Sequence, residues 1–266
     1  MFGTRASVNF QDKIASSIEK NNSLLCVGLD PQKDKIPNGL SIFDFNKKII
    51  DATSSFVCAY KPNIAFYEAE GLSGQEELLK TINYLQGKYP QIPIVLDAKR
   101  GDIENTAKAY AKSVFEFWKA DAVTVYPYLG KDSLDPFLSY DNKLTILLLK
   151  TSNPDSSTFQ NLDINGTHFN MKMAEQIKTC PEKNIGIFVG ATYPQELHNL
   201  REIFPDKIFL SAGIGAQEAQ IKEAVKAGTD KNGAGIMFNA SRSIIYHQDP
   251  KSAAQKLRDE INKYRS

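Results

Sequence analysis

The sequence predicts an α/β protein, a (β/α)₈ TIM barrel with an additional N-terminal helix. Its 266 residues are close to the ~250 residues that single-domain barrels of this class contain. Short apolar, β-branched runs alternate with longer amphipathic stretches, which is typical of parallel strands covered by helices. No low-complexity tract or change in composition marks a linker, so residues 1–266 are expected to form a single domain. An open doubly wound sheet is the alternative, because it shows the same alternation.

The predicted strands are apolar almost throughout, as expected for strands that are buried on both faces. They are Leu24–Asp30, Phe56–Lys61, Ile92–Lys99, Ala122–Tyr126, Leu144–Lys150, Ile185–Gly190, Lys207–Ala212 and Ala234–Asn239.

The stretches between the strands repeat apolar residues at helical spacing. Phe45, Ile49 and Ile50, for example, lie on one face of the first such stretch. The predicted helices are Ile42–Thr53, Ser73–Leu85, Ile103–Trp118, Thr167–Lys178, Pro194–Phe204, Ala216–Ala227 and Pro250–Tyr264. Another helix, Val8–Asn21, precedes the first strand, and Asp132–Ser139 shows only a short, weak helical pattern.

The composition argues against several classes of protein. With 32 basic and 31 acidic residues the formal charge is +1, so neither a nucleic-acid partner nor a membrane-attracted surface is expected. The first residues contain no apolar signal core, and no run approaches the ~18 apolar residues that span a bilayer. Cys26, Cys58 and Cys180 are widely spaced and form no metal-type pair. We expect a cytoplasmic protein in which Cys26 and Cys58 are buried thiols.

Polar residues stand at the carboxyl ends of the predicted strands, where barrel enzymes place their chemistry. They are Asp30 after the first strand, Lys61 and Asn63 at the second, Asp97, Lys99 and Asp102 at the third, Ser152 after the fifth, Gln217 after the seventh, and Asn239 and Arg242 at the eighth. The sequence therefore predicts a site at this end of the barrel.

The third strand carries the sharpest of these patterns. Asp97 and Lys99 are two residues apart, so both side chains should face the barrel axis. Each then stabilises the charged form of the other, and a protonated lysine in a dry site is able to protonate a carbanion. A buried structural ion pair is the alternative. Asp102 allows two interpretations, either a site residue or a cap for the helix that follows.

Further groups extend the predicted site. Lys61 either joins the charged cluster or extends to solvent from the rim, and Asp30 either binds a ligand or forms a turn. Gly213-x-Gly215 and Arg242 follow the seventh and eighth strands, where barrels commonly bind phosphate. The polar stretch from Thr151 to Gly166 is either a lid or a disordered surface loop.

The run Leu96-Asp97-Ala98-Lys99-Arg100-Gly101-Asp102-Ile103 resembles the active-site motif of the orotidine 5′-phosphate decarboxylase family, in the branch where Lys-Arg-Gly-Asp-Ile follows the aspartate. Other segments resemble that family in the same order along the chain. They are Val27-Gly28-Leu29-Asp30-Pro31, Lys61-Pro62-Asn63-Ile64-Ala65-Phe66-Tyr67-Glu68, Thr151-Ser152-Asn153-Pro154-Asp155-Ser156 and Gly213-Ile214-Gly215-Ala216-Gln217. The combination is highly specific, although each segment alone is not.

The resemblance implies a single catalytic domain that converts orotidine 5′-monophosphate to UMP and CO₂, the last step of de novo pyrimidine biosynthesis, without a metal or organic cofactor. It also implies a homodimer with shared active sites. Lys99 would donate a proton to C6 of the pyrimidine, Asp97 would lie beside the substrate carboxylate, and Lys61 and Asp102 would complete an alternating charged array. Asp102, Ile103 and Thr106 would enter the site of the neighbouring subunit.

The resemblance assigns the remaining substrate contacts as well. Asp30 and Asn63 would hold ribose hydroxyls or nearby polar groups, Ser152 the pyrimidine ring, and Gln217 and Arg242 the phosphate. The chain departs from the family pattern on the phosphate side only. Ala212 stands where proline is common, Glu218-Ala219 where a Gly-Gly pair is frequent, and Ser241 where glycine is often found.

Two other functions fit parts of the pattern. Relatives in the same wider superfamily act on sugar phosphates such as 3-keto-L-gulonate 6-phosphate or hexulose 6-phosphate, and they use Mg²⁺ held by a carboxylate at the end of the second strand. Lys61 occupies that place here, and a lysine is a poor partner for a hard cation. A non-catalytic barrel that binds a nucleotide is the other alternative, although the full set of charged residues is present.

Overall fold

Parallel strands form one sheet that closes into a barrel. A computed structural model describes residues 9–214 and 218–265. The strands are β1 (Leu25–Leu29), β2 (Ala59–Pro62), β3 (Val95–Arg100), β4 (Ala122–Val125), β5 (Leu144–Lys150), β6 (Ile185–Gly190), β7 (Phe209–Ala212) and β8 (Ile236–Ala240). Their order in the sheet is β2-β1-β8-β7-β6-β5-β4-β3. Parallel bridges from Tyr60 to Ile94 and from Asn63 to Asp97 join the two strands at the ends of this order, β2 and β3. The sheet is therefore closed, which confirms the predicted barrel and excludes the open doubly wound sheet.

Helices cover the outside of the barrel and connect the strands. They are α1 (Phe10–Asn21), α2 (Ile42–Thr53), α3 (Ala65–Glu68), α4 (Gly71–Lys88), α5 (Glu104–Lys112), α6 (Lys131–Leu138), α7 (Ser157–Gln160), α8 (Phe169–Lys178), α9 (Pro194–Ile203), α10 (Glu218–Gly228), α11 (Arg242–Ile245) and α12 (Pro250–Asn262). No helix in the described part of the chain has both the length and the apolar character that a membrane span requires.

The bounds of several elements differ from the sequence-based prediction. The strand predicted from Ile92 begins at Val95, after Pro93, which has no N–H to donate to a ladder. The helix predicted over Ile103–Trp118 is α5 followed by a π-helical turn, Ser113–Phe117. Residues 216 and 217, the start of another predicted helix, lie outside the described residues, and α10 follows them.

The stretch from Thr151 to Gly166 contains regular structure. A 3₁₀ turn at Pro154–Ser156 leads into α7, and Asp163–Ile164 pairs antiparallel with Thr167–His168. The hairpin takes up the first two residues of the helix predicted from Thr167, so α8 begins at Phe169. This regular structure argues against the disordered-loop interpretation, and the role of the stretch as a lid stays a prediction.

Helix α1 closes the end of the barrel opposite to the predicted site. Phe10 and Ile14 are buried against residues inside the barrel, among them Cys26, Cys58 and Val95. Burying a side chain of this size contributes about 1.5–3 kcal/mol. Lys13 Nζ lies 2.7 Å from Asp121 Oδ2, and the same oxygen accepts a hydrogen bond from the Ile94 amide at 2.9 Å. The amino ends of the strands are therefore sealed, which leaves the carboxyl ends available for a ligand.

Alternation along the strands decides which residues line the interior. Cys26, Ala59, Val95 and Met237 belong to the inner apolar cluster, on four different strands. Side chains two residues further along point to the same side of a strand. The next inward positions towards the carboxyl ends are Gly28, Lys61, Asp97 and Asn239, and they form the floor of the candidate site.

Candidate active site

Asp97 is the centre of a charged cluster inside the barrel mouth. Its Oδ2 lies 2.7 Å from Lys61 Nζ, and its Oδ1 lies 2.8 Å from Lys99 Nζ. The Thr124 hydroxyl donates a third hydrogen bond, to Oδ1 at 2.9 Å. Asp97 thus has hydrogen-bonded partners on three strands, and it holds two ammonium groups on opposite sides of one carboxylate.

The backbone at Lys99 departs from a regular strand. The pairing of β3 with β4 shifts register between Leu96 and Arg100, and Lys99 has a φ angle of +44°. Such a left-handed conformation costs a residue with a side chain on the order of 1–3 kcal/mol, and strained residues of this kind cluster at active sites. The Lys99 amide donates to the Thr124 hydroxyl at 3.0 Å, which helps to hold this conformation. Simple alternation does not describe this segment, although the Lys99 side chain still reaches Asp97.

Electrostatics keep the buried pair ionised. Burial alone would raise the pKa of Asp97, but the charges of Lys61 and Lys99 hold it well below its usual range. Burial would likewise lower the pKa of Lys61, but the carboxylates of Asp97 and Asp30 raise it above its usual value. Lys61 is 3% exposed, whereas the Lys99 side chain is 38% exposed. Lys99 is therefore the ammonium that a ligand in the barrel mouth can reach.

Asp102, Ile103 and Thr106 do not join the cluster of their own chain. Asp102 Oδ1 accepts a hydrogen bond from the adjacent Ile103 amide at 2.8 Å. Helix α5 begins at Glu104 with Ile103 in the N-cap position, so Asp102 is not the helix cap that the sequence allowed. Ile103 is 51% exposed, and Thr106 is exposed too. All three lie beyond Lys99 at the rim of the barrel.

Asp30 and Asn63 stand at the ends of the first two strands. Asp30 Oδ1 is buried, and it has no hydrogen-bond partner among the described residues. Asn63 pairs with Asp97 through the backbone, and its Oδ1 accepts from the Ala65 amide at 3.1 Å. The Asn63 side-chain oxygen is thus already engaged by the first residue of α3.

The residues predicted to contact the ring and the phosphate lie at the ends of later strands. Ser152 packs closely on β6, since a Cβ atom at Gly190 would lie 2.8 Å from its Cα. Gly213, after β7, has a φ angle of +86° and lies next to Ser152. Arg242 is the exposed first residue of α11, and Gln217 lies outside the described residues.

The positions that depart from the family pattern lie around this region. Ala212 ends β7, and Glu218 and Ala219 begin α10. Ser241 is used by the fold, because its hydroxyl donates to the Gly28 carbonyl at 3.1 Å and so joins the end of β8 to β1.

Three further residues lie at the carboxyl ends of the strands; the sequence indicated Asn239 only as one polar strand end among several, and it gave Thr124 and Lys150 no role. Thr124, on β4, contacts Asp97, and Asn239, on β8, lies beside Gly28. Lys150, the last residue of β5, is fully buried just before Ser152. Thr124 stands two residues after the inward-facing Ala122, so the period of two would have been a signal for it. The register shift between Leu148 and Lys150 pairs Lys150 with Val189, so alternation would not have placed it.

Lys150 connects the loop after β5 to the barrel through its side-chain contacts. Its Nζ lies 2.7 Å from Asn161 Oδ1, 3.1 Å from Ser157 Oγ and 4.4 Å from the centroid of the Tyr193 ring. Within the described residues no carboxylate lies at ion-pair distance from it. The three partners lie on α7, directly after it and after β6, so Lys150 holds α7 over the end of β5 beside Ser152.

Comparison with known proteins identifies the family. The model of the orotidine 5′-phosphate decarboxylase / HUMPS family matches residues 23–257. The chain belongs to this family.

Relatives within the family match almost the whole chain. An orotidine 5′-phosphate decarboxylase from Dechloromonas aromatica is 45% identical over 272 residues, which cover 97% of this chain and 100% of the relative. The one from Flavobacterium johnsoniae is 45% identical over 257 residues, 94% of each chain. The solved structure of Leishmania donovani OMP decarboxylase superposes with a TM-score of 0.88 at 38% identity, covering 97% of this chain and 99% of that one. The similarity thus covers the barrel from end to end.

Proposed function

We propose that this chain converts orotidine 5′-monophosphate to UMP and CO₂, the last step of UMP biosynthesis, without a cofactor. The observation that carries the proposal is the Asp97 carboxylate with the Lys61 and Lys99 ammonium groups on either side, at 2.7 and 2.8 Å. This arrangement lies at the ligand-accessible end of the barrel in a family whose full-length relatives are named orotidine 5′-phosphate decarboxylases.

Lys99 is the proton donor in the proposed reaction. The bond between C6 and the carboxyl carbon breaks, CO₂ leaves, and the electron pair stays on C6. The Lys99 ammonium stabilises that charge as it develops and transfers a proton to C6, and the resulting amine recovers a proton from water. Asp97 holds the ammonium towards the reacting carbon and would lie beside the substrate carboxylate, while buried Lys61 keeps Asp97 ionised.

The other substrate contacts follow the family assignment. Asp30 and Asn63 would hold ribose hydroxyls or nearby polar groups, and Ser152 would contact the pyrimidine ring. Gln217 and Arg242 would bind the phosphate, where binding energy remote from the reacting carbon is available to accelerate the reaction. The exposure of Arg242 at the start of α11 supports its role, since its guanidinium is accessible to an anion.

The active form in this proposal is a homodimer with shared sites. Asp102 stands outside the cluster of its own chain, and exposed apolar side chains follow β3 and β4 at the same end of the barrel, including Ile103 at 51% and Leu129 at 44%. A second copy of the chain would cover these side chains and receive Asp102, Ile103 and Thr106 in its site. The proposal also includes a cytoplasmic location, which rests on the sequence alone.

The position of Lys61 favours this reaction over Mg²⁺-dependent sugar-phosphate chemistry. Its ammonium occupies the end of β2 and already pairs with Asp97. A divalent cation placed there would be repelled by this charge.

The deciding experiment follows the ultraviolet absorbance of orotidine 5′-monophosphate mixed with the purified protein, with and without a chelator. We expect conversion to UMP that is insensitive to the chelator. Binding without any spectral change, at protein concentrations near that of the substrate, would indicate a non-catalytic nucleotide-binding barrel. Loss of turnover on chelation would indicate a metal-dependent reaction.

A further inference from the structure

Asn239 is a buried polar residue that the proposed mechanism does not use. It is 8% exposed, and its side-chain oxygen has no hydrogen-bond partner among the described residues. Leaving a buried acceptor unpaired is unfavourable, and in native proteins such a group commonly bonds to an ordered water or a ligand. The inner position two residues before it, Met237, is part of the apolar core of the barrel, so a polar side chain is not required for packing there.

Asp30 presents a second unpaired oxygen in the same place. Its Oδ1 is also buried without a partner in the described part of the chain. Asp30 Oδ2 and Asn239 Oδ1 lie 3.1 and 3.2 Å from one point, the place that a Cβ atom at Gly28 would take. The Asp30 carboxylate, whose other oxygen is the unpaired Oδ1, and the Asn239 side-chain oxygen therefore converge over Gly28 of β1, at the ligand-accessible end of the barrel.

The absence of a side chain at Gly28 allows Asp30, Asn239 and Ser241 to come close together. A Cβ atom there would lie only 2.8 Å from the Ser241 Cβ as well as close to both oxygens. Ser241 in turn donates to the Gly28 carbonyl, which fixes the end of β8, and with it Asn239, against β1. The corner over Gly28 thus presents the Asp30 carboxylate and the Asn239 amide oxygen as acceptors, while the Ser241 hydroxyl is already used by the Gly28 carbonyl.

We propose that Asn239 is a specificity-determining residue, which accepts a hydrogen bond from a sugar hydroxyl of the nucleotide beside Asp30. This inference rests on the proposed function, because it takes orotidine 5′-monophosphate and UMP as the ligands of the site. A ribose carries two adjacent hydroxyl groups, and each is a donor able to satisfy one of the unpaired oxygens. A nucleotide that lacks the hydroxyl facing Asn239 leaves that oxygen unpaired, so it binds more weakly.

The test compares the binding of UMP, 2′-deoxy-UMP and 3′-deoxy-UMP by calorimetry to the wild-type protein and to Asn239→Leu. Leucine has a similar size but no acceptor. The matched control is Asn199→Leu, the same change at an exposed position on α9. The wild-type protein should bind one deoxynucleotide about tenfold more weakly than UMP. In Asn239→Leu, the affinity for UMP should fall towards the affinity for the weaker-binding deoxynucleotide. The ratio of these two affinities should therefore be at least about threefold smaller than in the wild-type protein.

The inference is overturned if Asn239→Leu discriminates between UMP and both deoxynucleotides as strongly as the wild-type protein and Asn199→Leu do. Should Asn239→Leu unfold, Asn239→Ala is measured in the same way, and the same criterion applies. Failure of the proposed function gives a different result, since the wild-type protein would then neither bind UMP nor convert orotidine 5′-monophosphate.

Discussion

Lys61 and Asp97 face each other across β2 and β3, with 2.7 Å between Nζ and Oδ2, and their side chains are only 4% and 8% exposed. The pair is not symmetrical. Asp97 has a second ion-pair partner in Lys99 and a hydrogen bond from Thr124. Lys61 has no second carboxylate at ion-pair distance in residues 9–214 and 218–265. The two residues therefore depend on each other to different degrees.

This asymmetry predicts unequal losses of stability. Asp97→Asn leaves the buried Lys61 ammonium without an ionic partner, which should lower the free energy of unfolding by about 3–5 kcal/mol. Lys61→Met should cost less, because Asp97 keeps Lys99 and Thr124. The double variant Lys61→Met/Asp97→Asn should recover part of the loss of Asp97→Asn, because it buries no unpaired charge. Urea unfolding of the three variants measures these values, and equal losses for the two single variants would contradict the prediction.

The same pair predicts how stability depends on pH. The pKa of Asp97 is lowered in the fold, so its contribution is complete above the unfolded value of ~3.9 and is lost as the pH falls below it. The pKa of Lys61 is raised, so its contribution is complete below ~10.4 and is lost as the pH rises further. Between these limits the pair should contribute a constant amount. Urea unfolding across pH should show less decline at both extremes for Lys61→Met/Asp97→Asn than for the wild-type protein.

Lys99→Ala should fold normally and lose turnover by at least about 1000-fold, because it removes both the proton donor and the charge that stabilises the electron pair. Circular dichroism checks the fold, and the absorbance assay measures the rate. Lys251→Ala, at an exposed position on α12, is the matched control and should keep wild-type activity. Substantial turnover by Lys99→Ala would exclude this lysine as the proton donor.

A shared site predicts complementation between inactive variants. In a mixed dimer of Lys99→Ala and Asp102→Asn, one site carries both changes and the other carries neither. With free subunit exchange half of the dimers are mixed, so about a quarter of wild-type activity should return in an equimolar mixture. The assay is run once mass spectrometry has shown that subunits exchange. Continued inactivity after exchange would mean that Asp102 acts in its own chain or not at all.

The cysteines should differ in their reactivity. Burial raises the pKa of the Cys26 thiol to about 12 and that of Cys58 well above its usual range. Cys180 is only partly buried. In the native protein at mildly alkaline pH, iodoacetamide should modify Cys180 before the other two, because the thiolate is the reactive form and must be reachable. Peptide mass spectrometry locates the adducts, and labelling of Cys26 first would show that the closed end of the barrel opens.

Local patterns in the sequence were sufficient to predict most of the strands and helices. The bounds of Leu144–Lys150, Ile185–Gly190 and Ile42–Thr53 agree with the structure, because each is set by an apolar period within one segment. The short helices α3 and α11 were not predicted, since four residues are too few to show a helical period. Their place is set by the strand ends that they follow.

The sequence by itself determined the order of strands and helices, the inward face of the regular part of each strand, and the presence of Asp97 on one of those faces. Only the tertiary structure decided which inward residues meet. Thr124 reaches Asp97 from β4, Lys61 reaches it from β2, and Asn239 faces Asp30 across β1 and β8. The physical reason is that alternation within one strand determines only which face of the sheet a side chain points to. Which residues of other strands it contacts depends on the register between the strands and on the closure of the barrel.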